Sequence, residues 1–343
     1  MRPLPRPVIR TLFTILALGL APVLVAQPFQ LPTANRAILD ADGGAERYFV
    51  GTAGKPWTSG QFGCVRSGGG QLHEGLDIRP LQRDRRGEPT DDALCSVPGV
   101  VAYVNTRSGL SNYGNYVVVR HEIDGLEVFT LYAHLASVAP GLRAATPVQA
   151  GQPLGRMGRT SNTRQRITPD RAHLHFEITF MVASRYAAWH KANLGETRND
   201  HGHFNGRNLV GLDPANVLRS QAKTGPAFNL ARHLRETPEL TRVLIRRPAL
   251  DWVRRNPGAV EANPVAQRQG IAAWELSLGF NGIPLRAIPR AASELPANMG
   301  PYRLLGVNPK TLEEFPCGKL VFKRGQLWTL TAKGQQLLEL LAY

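Results

Sequence analysis

The sequence predicts a mostly β fold, in which an antiparallel β-sandwich or barrel-like domain is followed by a smaller α+β domain. From Gly60 onward, short runs rich in β-branched and aromatic residues alternate with Gly, Asn and Pro, which is typical of antiparallel sheets. Asp124-Gly125 separates two such runs and has the composition of a tight hairpin turn. Beyond residue 230, helical spacing occurs beside further strand patterns, which indicates the α+β domain.

The chain is long enough for two domains of ordinary size, because its 343 residues can form two separate cores. The predicted organisation begins with a signal peptide at 1–26 and an irregular lead-in at 27–59, which includes a short strand. A first domain at 60–220, a linker at 221–229 and a second domain at 230–343 follow.

The first 26 residues have the pattern of a secretory signal peptide. Arginines precede an apolar run at 11–25, which is followed by Ala26. The run is short for a membrane span, although a retained anchor is the alternative. No later stretch is apolar enough to cross a bilayer. We therefore expect a secreted, periplasmic or wall-associated protein with no stable membrane insertion after cleavage.

Secondary structure can be predicted for both domains from residue patterns. In the first domain we expect strands at 47–50, 99–104, 116–121 and 126–134 and a helix at 181–193. In the second domain we expect a helix at 238–252, strands within 270–288 and at 302–307, a hairpin at 320–330 and a final helix at 331–341 that is capped by Thr331.

The formal net charge is +15, and +8 of it falls on residues 221–343. A basic C-terminal region suits contact with an anionic polymer such as a cell wall or with a membrane surface. Export argues against nucleic acid as a partner. Binding to the wall and a purely structural role both remain open for the second domain, and no protein partner is indicated.

Three cysteines occur in a chain that we expect to be exported: Cys64, Cys95 and Cys317. Cys64 and Cys95 flank the first histidine motif, so a bridge between them would restrain the loop that carries the motif. All three pairings are open, as is the burial of free thiols as small apolar groups.

The stretch 171–178 places two histidines side by side. Alternate residues of a strand share a face, so His173 and His175 point in one direction, with Cβ atoms about 6.6 Å apart. One imidazole could then bind a metal while the other acts on the molecule that the metal holds. Spacing alone does not say which histidine is the ligand, and the polar face of an exposed strand also produces this pattern.

A second motif lies upstream. His73 and Asp77 would be about 13 Å apart in an ideal strand, so the chain must bend if both are to reach one ion. Gly75 between them tolerates such a bend, through a positive φ or a bulge. His134 follows in a Tyr-x-His-Leu context.

Another His-x-His, formed by His201 and His203, is surrounded by Gly and Asn. These neighbours favour a turn over a second metal site, and a position lining a substrate groove is a further alternative.

Together, the motifs resemble the lysostaphin- and LytM-type zinc metallopeptidases of peptidase family M23. The family pattern is His-x-x-x-Asp, then a histidine in Tyr-x-His-Leu, then His-Leu-His-Phe, and all three occur here in that order. The resemblance covers about residues 60–178 and leaves the last third of the chain unexplained. Two departures are a longer connection at 159–171 and the lack of a tyrosine just before His73.

The resemblance implies one Zn²⁺ per chain, with His73, Asp77 and His175 as ligands and His134 and His173 as catalytic residues. It also implies hydrolysis of peptide bonds in peptidoglycan, most often at cross-links, by water that the zinc activates. Which of the two catalytic imidazoles is the general base stays open.

Two carboxylates accompany these motifs. Glu74 follows a predicted ligand, but the family has no base at that position, so a solvated side chain is the preferred interpretation. Glu177 shares a strand face with His173 and His175 and could orient a ligand by a hydrogen bond.

Two alternatives to a wall endopeptidase remain. A non-catalytic LytM-like module would bind the wall or activate a partner hydrolase, but such members typically lose metal ligands, and none is missing here. A secreted peptidase that attacks proteins or rival cells would keep the chemistry and change only the target.

Overall fold

A computed structural model describes residues 29–195 and 197–343 of the chain. The predicted signal peptide at 1–26 lies outside the described residues. Among the described helices, none combines the length and the apolar character that a membrane span requires.

In the N-terminal part, residues 29–224, strands are the main regular secondary structure. These are β1 (Gly63–Arg66), β2 (Gln71–His73), β3 (Leu76–Ile78), β4 (Asp92–Leu94), β5 (Gly99–Asn105), β6 (Tyr116–Ile123), β7 (Leu126–Ala133), β8 (Ser137–Val138), β9 (Pro147–Val148), β10 (Pro153–Arg156), β11 (Leu174–Met181) and β12 (Leu209–Leu212). Its helices are α1 (Gly44–Tyr48), α2 (Tyr186–Asn193) and α3 (Pro214–Thr224).

The central sheet of this part has seven antiparallel strands in the order β12-β11-β7-β6-β5-β9, with β3 as an additional partner of β11. Along one side of β11, β3 pairs with its first residues and β12 with its last. Smaller sheets are formed by β1-β2 and by β4-β10-β8. The strand-rich antiparallel fold that the sequence predicts is confirmed, although the sheets do not close into a barrel.

The hairpin between β6 and β7 forms at the predicted turn. Asp124 has a φ of 52° and Gly125 a φ of 74°, and positive φ at both central residues matches the twist of the flanking strands. Alternation then sends successive side chains to opposite faces. Val117 and Tyr132 join the main core, whereas Val118 and Leu131 join a smaller cluster on the other face.

Two predictions for the N-terminal part need correction. The strand predicted at 47–50 is wrong, because α1 extends to Tyr48 and only Phe49 makes an isolated bridge, to Ile78. Tyr48 and Phe49 are both fully buried, so this segment does not alternate between core and solvent. The helix predicted from residue 181 begins at Tyr186, because Met181 still belongs to β11.

The C-terminal part, residues 230–343, combines helices with a four-stranded sheet in the order β15-β14-β13-β16. Its strands are β13 (Thr241–Ile245), β14 (Ala273–Leu278), β15 (Pro284–Arg290), β16 (Tyr302–Val307), β17 (Val321–Arg324) and β18 (Leu327–Leu330). Its helices are α4 (Leu230–Glu236), α5 (Asp251–Arg255), α6 (Pro264–Gln269), α7 (Pro309–Glu314) and α8 (Ala332–Ala342).

The helix predicted at 238–252 is wrong, because residues 241–245 form the inner strand β13. Val243 and Ile245 on one face and Leu244 on the other are all buried. A strand buried on both faces is a continuous apolar run, which periodicity cannot distinguish from a buried helix. The final helix forms as predicted, and Oγ1 of Thr331 accepts a hydrogen bond from the backbone N–H of Gly334 at 3.0 Å.

The two parts are packed against each other. One continuous apolar core contains Phe176 of β11 together with Trp252 and Leu338 of the C-terminal part. The segment at 221–229, predicted as a linker, starts inside α3, where the buried side chain of Gln221 accepts a hydrogen bond from the backbone N–H of Phe29 at 2.8 Å. The division into two domains remains a prediction.

The disulfide is one of the three pairings that the sequence left open. Cys64 is bonded to Cys317, 253 residues away, and Cys95 is a buried free thiol. The bridge between Cys64 and Cys95, one of the three pairings that the sequence left open, does not form. β1 packs against the segment 316–318 of the C-terminal part, whereas Cys95 donates a hydrogen bond to the carbonyl oxygen of Val97 at 3.0 Å within the core.

Non-reducing peptide mapping should yield one linked fragment that contains Cys64 and Cys317, with Cys95 alkylated only after unfolding. Replacing both bridged cysteines by serine is expected to lower the free energy of unfolding by about 2–5 kcal/mol, measured by urea denaturation. A linked fragment that contains Cys95 would contradict the observed pairing.

Stability should fall on acidification through His121. Its Nδ1 lies 2.9 Å from the carbonyl oxygen of Pro98 and its Nε2 lies 2.8 Å from Oγ1 of Thr130. Burial lowers the pKa of His121 to about 4 from an unfolded value of 6.5. The unfolded chain binds the proton more readily, so this contribution is complete above pH 6.5 and is lost as the pH falls toward 4.

The expected loss is on the order of 3 kcal/mol in the free energy of unfolding. It can be measured by urea denaturation at several pH values. His121→Gln removes the titrating group and should flatten this part of the profile. An unchanged profile in that variant would exclude His121 as a source of the pH dependence.

Candidate metal centre

Strand pairing brings the predicted site residues together. His73 is the last residue of β2, and Asp77 is the central residue of β3. Asp77 pairs with His175 of β11, and His175 pairs on its other side with Ala133, the last residue of β7. His134 follows immediately, where the chain leaves the sheet. Neighbouring strands therefore converge on one point from distant positions in the sequence.

Gly75 is required between His73 and Asp77 because of space. A Cβ atom at Gly75 would lie 2.4 Å from the carbonyl oxygen of Phe176 and 2.8 Å from Cγ of Glu177. The predicted bend is present. Gly75 does not have a positive φ, which was one of the two ways in which we expected it to form the bend. The close approach of the bend to β11 excludes any side chain at this position.

Three donor atoms converge at the centre of the site. Oδ1 of Asp77 lies 3.1 Å from Nε2 of His73 and 3.1 Å from Nδ1 of His175, and these two nitrogens are 3.2 Å apart. Ligands of a tetrahedral zinc ion lie about 3.3 Å from one another when each is about 2.0–2.1 Å from the metal. All three side chains are buried, and their donor atoms fit one zinc ion.

Hydrogen bonds on the far side of each ring orient the two imidazoles. Nδ1 of His73 lies 2.7 Å from the carbonyl oxygen of Gln61, and Nε2 of His175 lies 2.8 Å from Oε1 of Glu177. These oxygens accept hydrogen bonds, so the outer nitrogens carry the protons of the neutral rings. The inner nitrogens then direct lone pairs at the centre, as metal ligation requires.

The surroundings of His175 attract positive charge. Burial lowers the pKa of His175, but hydrogen bonds to Asp77 and Glu177 outweigh that effect and raise it to about 10. Glu177 is fully buried, so its charge is poorly screened by solvent. A divalent cation would compete with the proton for the same nitrogen.

Arg66 is a site residue that the sequence did not reveal. Its Nη2 donates to Oδ2 of Asp77 at 2.5 Å, which leaves Oδ1 facing the imidazoles. Burial alone would raise the pKa of Asp77, but His173 and His73 hold it well below its ordinary value. Asp77 therefore stays charged and offers one oxygen. No motif marks Arg66, and only the pairing of β1 with β2 brings it close.

His173 lies beside the three predicted ligands. Its Nδ1 is 2.6 Å from the carbonyl oxygen of Arg171, and its Nε2 is 3.2 Å from Oδ1 of Asp77. His173 precedes β11 and is held by an isolated bridge to Gly158, so it shares a face with His175 as predicted.

His134 completes the group of imidazoles. Its ring centroid is 4.9 Å from that of His173 and 5.8 Å from that of His175. Nδ1 lies 2.9 Å from the carbonyl oxygen of Thr160, which leaves Nε2 as the acceptor nitrogen of the neutral ring. Burial and the two neighbouring histidines hold the pKa of His134 well below its ordinary value.

The backbone at His134 is unusual. Its φ of 61° is left-handed, which is uncommon for a residue other than glycine. Backbone hydrogen bonds from His134 to Tyr113 and from Leu135 to Asn115, 2.9 and 3.0 Å long, hold the turn. Strained residues of this kind cluster at functional sites, and here the turn directs an imidazole toward the centre.

The remaining candidates lie outside this donor group. Glu74 is half-buried, and burial together with Glu177 raises its pKa. Nδ1 of His201 lies 3.0 Å from the Tyr103 hydroxyl, and its Nε2 lies 3.2 Å from the carbonyl oxygen of Leu110, so both nitrogens are engaged. Within residues 29–195 and 197–343, His73, Asp77 and His175 form the one cluster with metal-ligand geometry.

Comparison with known families identifies the region around this centre. Residues 71–186 match the sequence model described as peptidase family M23. This region belongs to peptidase family M23. The M23 domain contains all of the predicted site residues: His73, Asp77, His134, His173 and His175. Their individual roles remain predictions.

Solved structures similar to this chain include peptidases. The catalytic domain of the prophage-encoded M23 protein EnpA from Enterococcus faecalis is 21% identical, with 32% of this chain and 68% of that chain covered and a TM-score of 0.23. The catalytic domain of lysostaphin from Staphylococcus simulans is 21% identical, with coverage of 38% and 74% and a TM-score of 0.24.

A zinc-containing peptidase from Vibrio cholerae is 25% identical, with 31% of this chain and only 26% of that chain covered and a TM-score of 0.22. TM-scores this low support no conclusion about this chain. No curated protein sequence matches it at a significant level.

His175→Ala should abolish metal binding, because it removes one of three converging donors. Elemental analysis of the purified protein is expected to show about one zinc per chain for the wild type and almost none for the variant. His121→Gln, which alters a buried histidine outside the centre, is the matched control. Unchanged zinc content in His175→Ala would remove His175 from the ligand set.

Glu177→Gln should have a smaller effect, because the amide keeps the shape of the side chain and loses the charge. We expect zinc affinity to fall by about 10–100-fold, measured by competition with a chelator of known affinity. Equal affinity in the variant would show that Glu177 does not support the centre.

Proposed function

We propose that this protein is an exported zinc-dependent endopeptidase that hydrolyses peptide bonds in bacterial peptidoglycan, at cross-links in particular. The observation that carries the proposal is the convergence of His73, Asp77 and His175 beside His134 and His173 inside an M23 domain. Two imidazoles and one carboxylate leave a fourth position for water or substrate, as catalytic zinc sites do.

A bound zinc ion would supply an activated water and polarise the scissile carbonyl. His134 and His173 would divide the remaining work between them. One would accept the proton of the attacking water and deliver it to the leaving amine, and the other would donate a hydrogen bond to the tetrahedral oxyanion. In each ring Nδ1 is engaged by a backbone carbonyl, so Nε2 is the nitrogen that would accept the proton, and the ring that donates to the oxyanion would need a proton on Nε2 as well.

The surrounding residues keep this machinery in position. Glu177 and the carbonyl oxygen of Gln61 orient the two histidine ligands, and Arg66 holds the second oxygen of Asp77. Catalytic groups must be fixed within a fraction of an ångström to be effective, and these contacts restrict each side chain to one orientation.

Peptidoglycan as the substrate is supported by charge and by the predicted export. A net charge of +15 favours association with an anionic cell wall, and a basic C-terminal part would add to that attraction. The presence of every predicted ligand and of both catalytic imidazoles disfavours the alternative of a non-catalytic wall-binding or hydrolase-activating module.

His134→Ala should retain zinc and lose most turnover, because it removes either the proton-transfer group or the oxyanion donor and removes no ligand. We expect kcat to fall by about 10²–10⁴-fold in the release of soluble fragments from purified peptidoglycan, with the fragments identified by mass. A chelator should abolish wild-type activity, and added zinc should restore it. Full activity in His134→Ala would end its catalytic assignment.

A further inference from the structure

A cavity of about 590 Å³ lies next to the metal centre, between the N-terminal and C-terminal parts. This volume is typical of sites that bind small ligands. Strand β2 lies between the cavity and the metal centre. It supplies His73 to the metal centre, and its residues Gln71 and Leu72 line the cavity. The opposite wall comes from the segment after Cys317 and from α8.

The charged groups of the cavity are mostly positive. Arg207, Lys319 and Lys333 line it, and Glu74 is the acidic member of the lining. Among the described residues, none of the three cations forms a salt bridge. Lys333 donates one hydrogen bond to the carbonyl oxygen of Gly318 at 2.8 Å and keeps two further donors.

Trp189 is a buried member of the lining and is only 4% exposed. The charged ends of Arg207, Lys319 and Lys333 carry only hydrogen-bond donors, so this side of the cavity favours an acceptor group.

The rest of the lining is aliphatic. Leu209 of β12, Leu320 before β17 and Leu340 of α8 contribute buried side chains. A ligand that fits must therefore combine an anionic acceptor group with an apolar body. Peptides with a free carboxylate and aliphatic side chains have this combination.

We propose that this cavity binds an acidic peptide, with its carboxylate against Lys319 and Lys333 and its aliphatic side chains against Leu320 and Leu340. The inference rests on the proposed function and extends it. Glu74 lines the cavity and directly follows His73, so a peptide held here would continue along β2 to the metal centre. The substrates would then be peptides with a free carboxylate on one side of the scissile bond.

Binding can be tested in the full chain that carries His134→Ala, which is expected to keep its zinc. Isothermal titration calorimetry would compare N-acetyl-Leu-Glu-Leu, which has two carboxylates, with the uncharged N-acetyl-Leu-Gln-Leu amide. We expect the acidic peptide to bind about tenfold more tightly at low salt, because charge-assisted hydrogen bonds replace neutral ones.

Variants of the lining assign this preference to the cavity. Adding Lys319→Met and Lys333→Met should abolish the preference for the acidic peptide. Lys310→Met, an exposed lysine outside the cavity, is the matched control and should change nothing. Lys333→Met alone provides a milder change if the double variant fails to fold, as judged by its zinc content.

The outcomes separate this inference from the proposed function. In the active enzyme, Lys333→Met should raise KM for a cleaved acidic peptide and leave kcat unchanged. Equal binding of the two peptides, or an undiminished preference in Lys319→Met/Lys333→Met, would overturn the cavity assignment even if the wild type digests cell wall. Selective binding without any hydrolysis by the wild type would support the cavity and contradict the proposed function.

Discussion

The buried carboxylate of Asp77 is the group on which the rest of the centre depends. Its Oδ1 lies within 3.2 Å of nitrogens of His73, His173 and His175, and its Oδ2 is bound by Arg66. A buried charge is tolerated only when partners compensate it, so these cationic and polar groups have to assemble around it together. The same requirement makes the site a natural location for a divalent cation.

The sheet provides the rigidity that this arrangement needs. Asp77 and His175 are opposite each other on paired antiparallel strands, so their separation is set by backbone hydrogen bonds and not by flexible side chains. The left-handed turn at His134 and the bend at Gly75 add the remaining groups from the ends of neighbouring strands. Sites built on regular elements keep their geometry better than sites on loops.

The C-terminal part contributes to the same construction. The disulfide at Cys64 attaches it to β1, two residues before Arg66, and Asn281 donates a hydrogen bond to the carbonyl oxygen of Gly211 at 2.8 Å. A covalent connection restricts how far β1 and the paired β2 can move. The C-terminal part therefore restrains the strands that carry Arg66 and His73 and also forms one wall of the adjacent cavity.

The sequence by itself determined which side chains are available for the centre and which segments alternate as strands. Histidine and aspartate spacing, the Asp124-Gly125 turn and the capping Thr331 are local signals, and each depends on only a few neighbouring residues. Only the tertiary structure decided the partner of Cys64, the strand at 241–245 and the place of Arg66. Each of these depends on contacts between residues far apart in the chain, where burial on both faces or strand pairing overrides the local pattern.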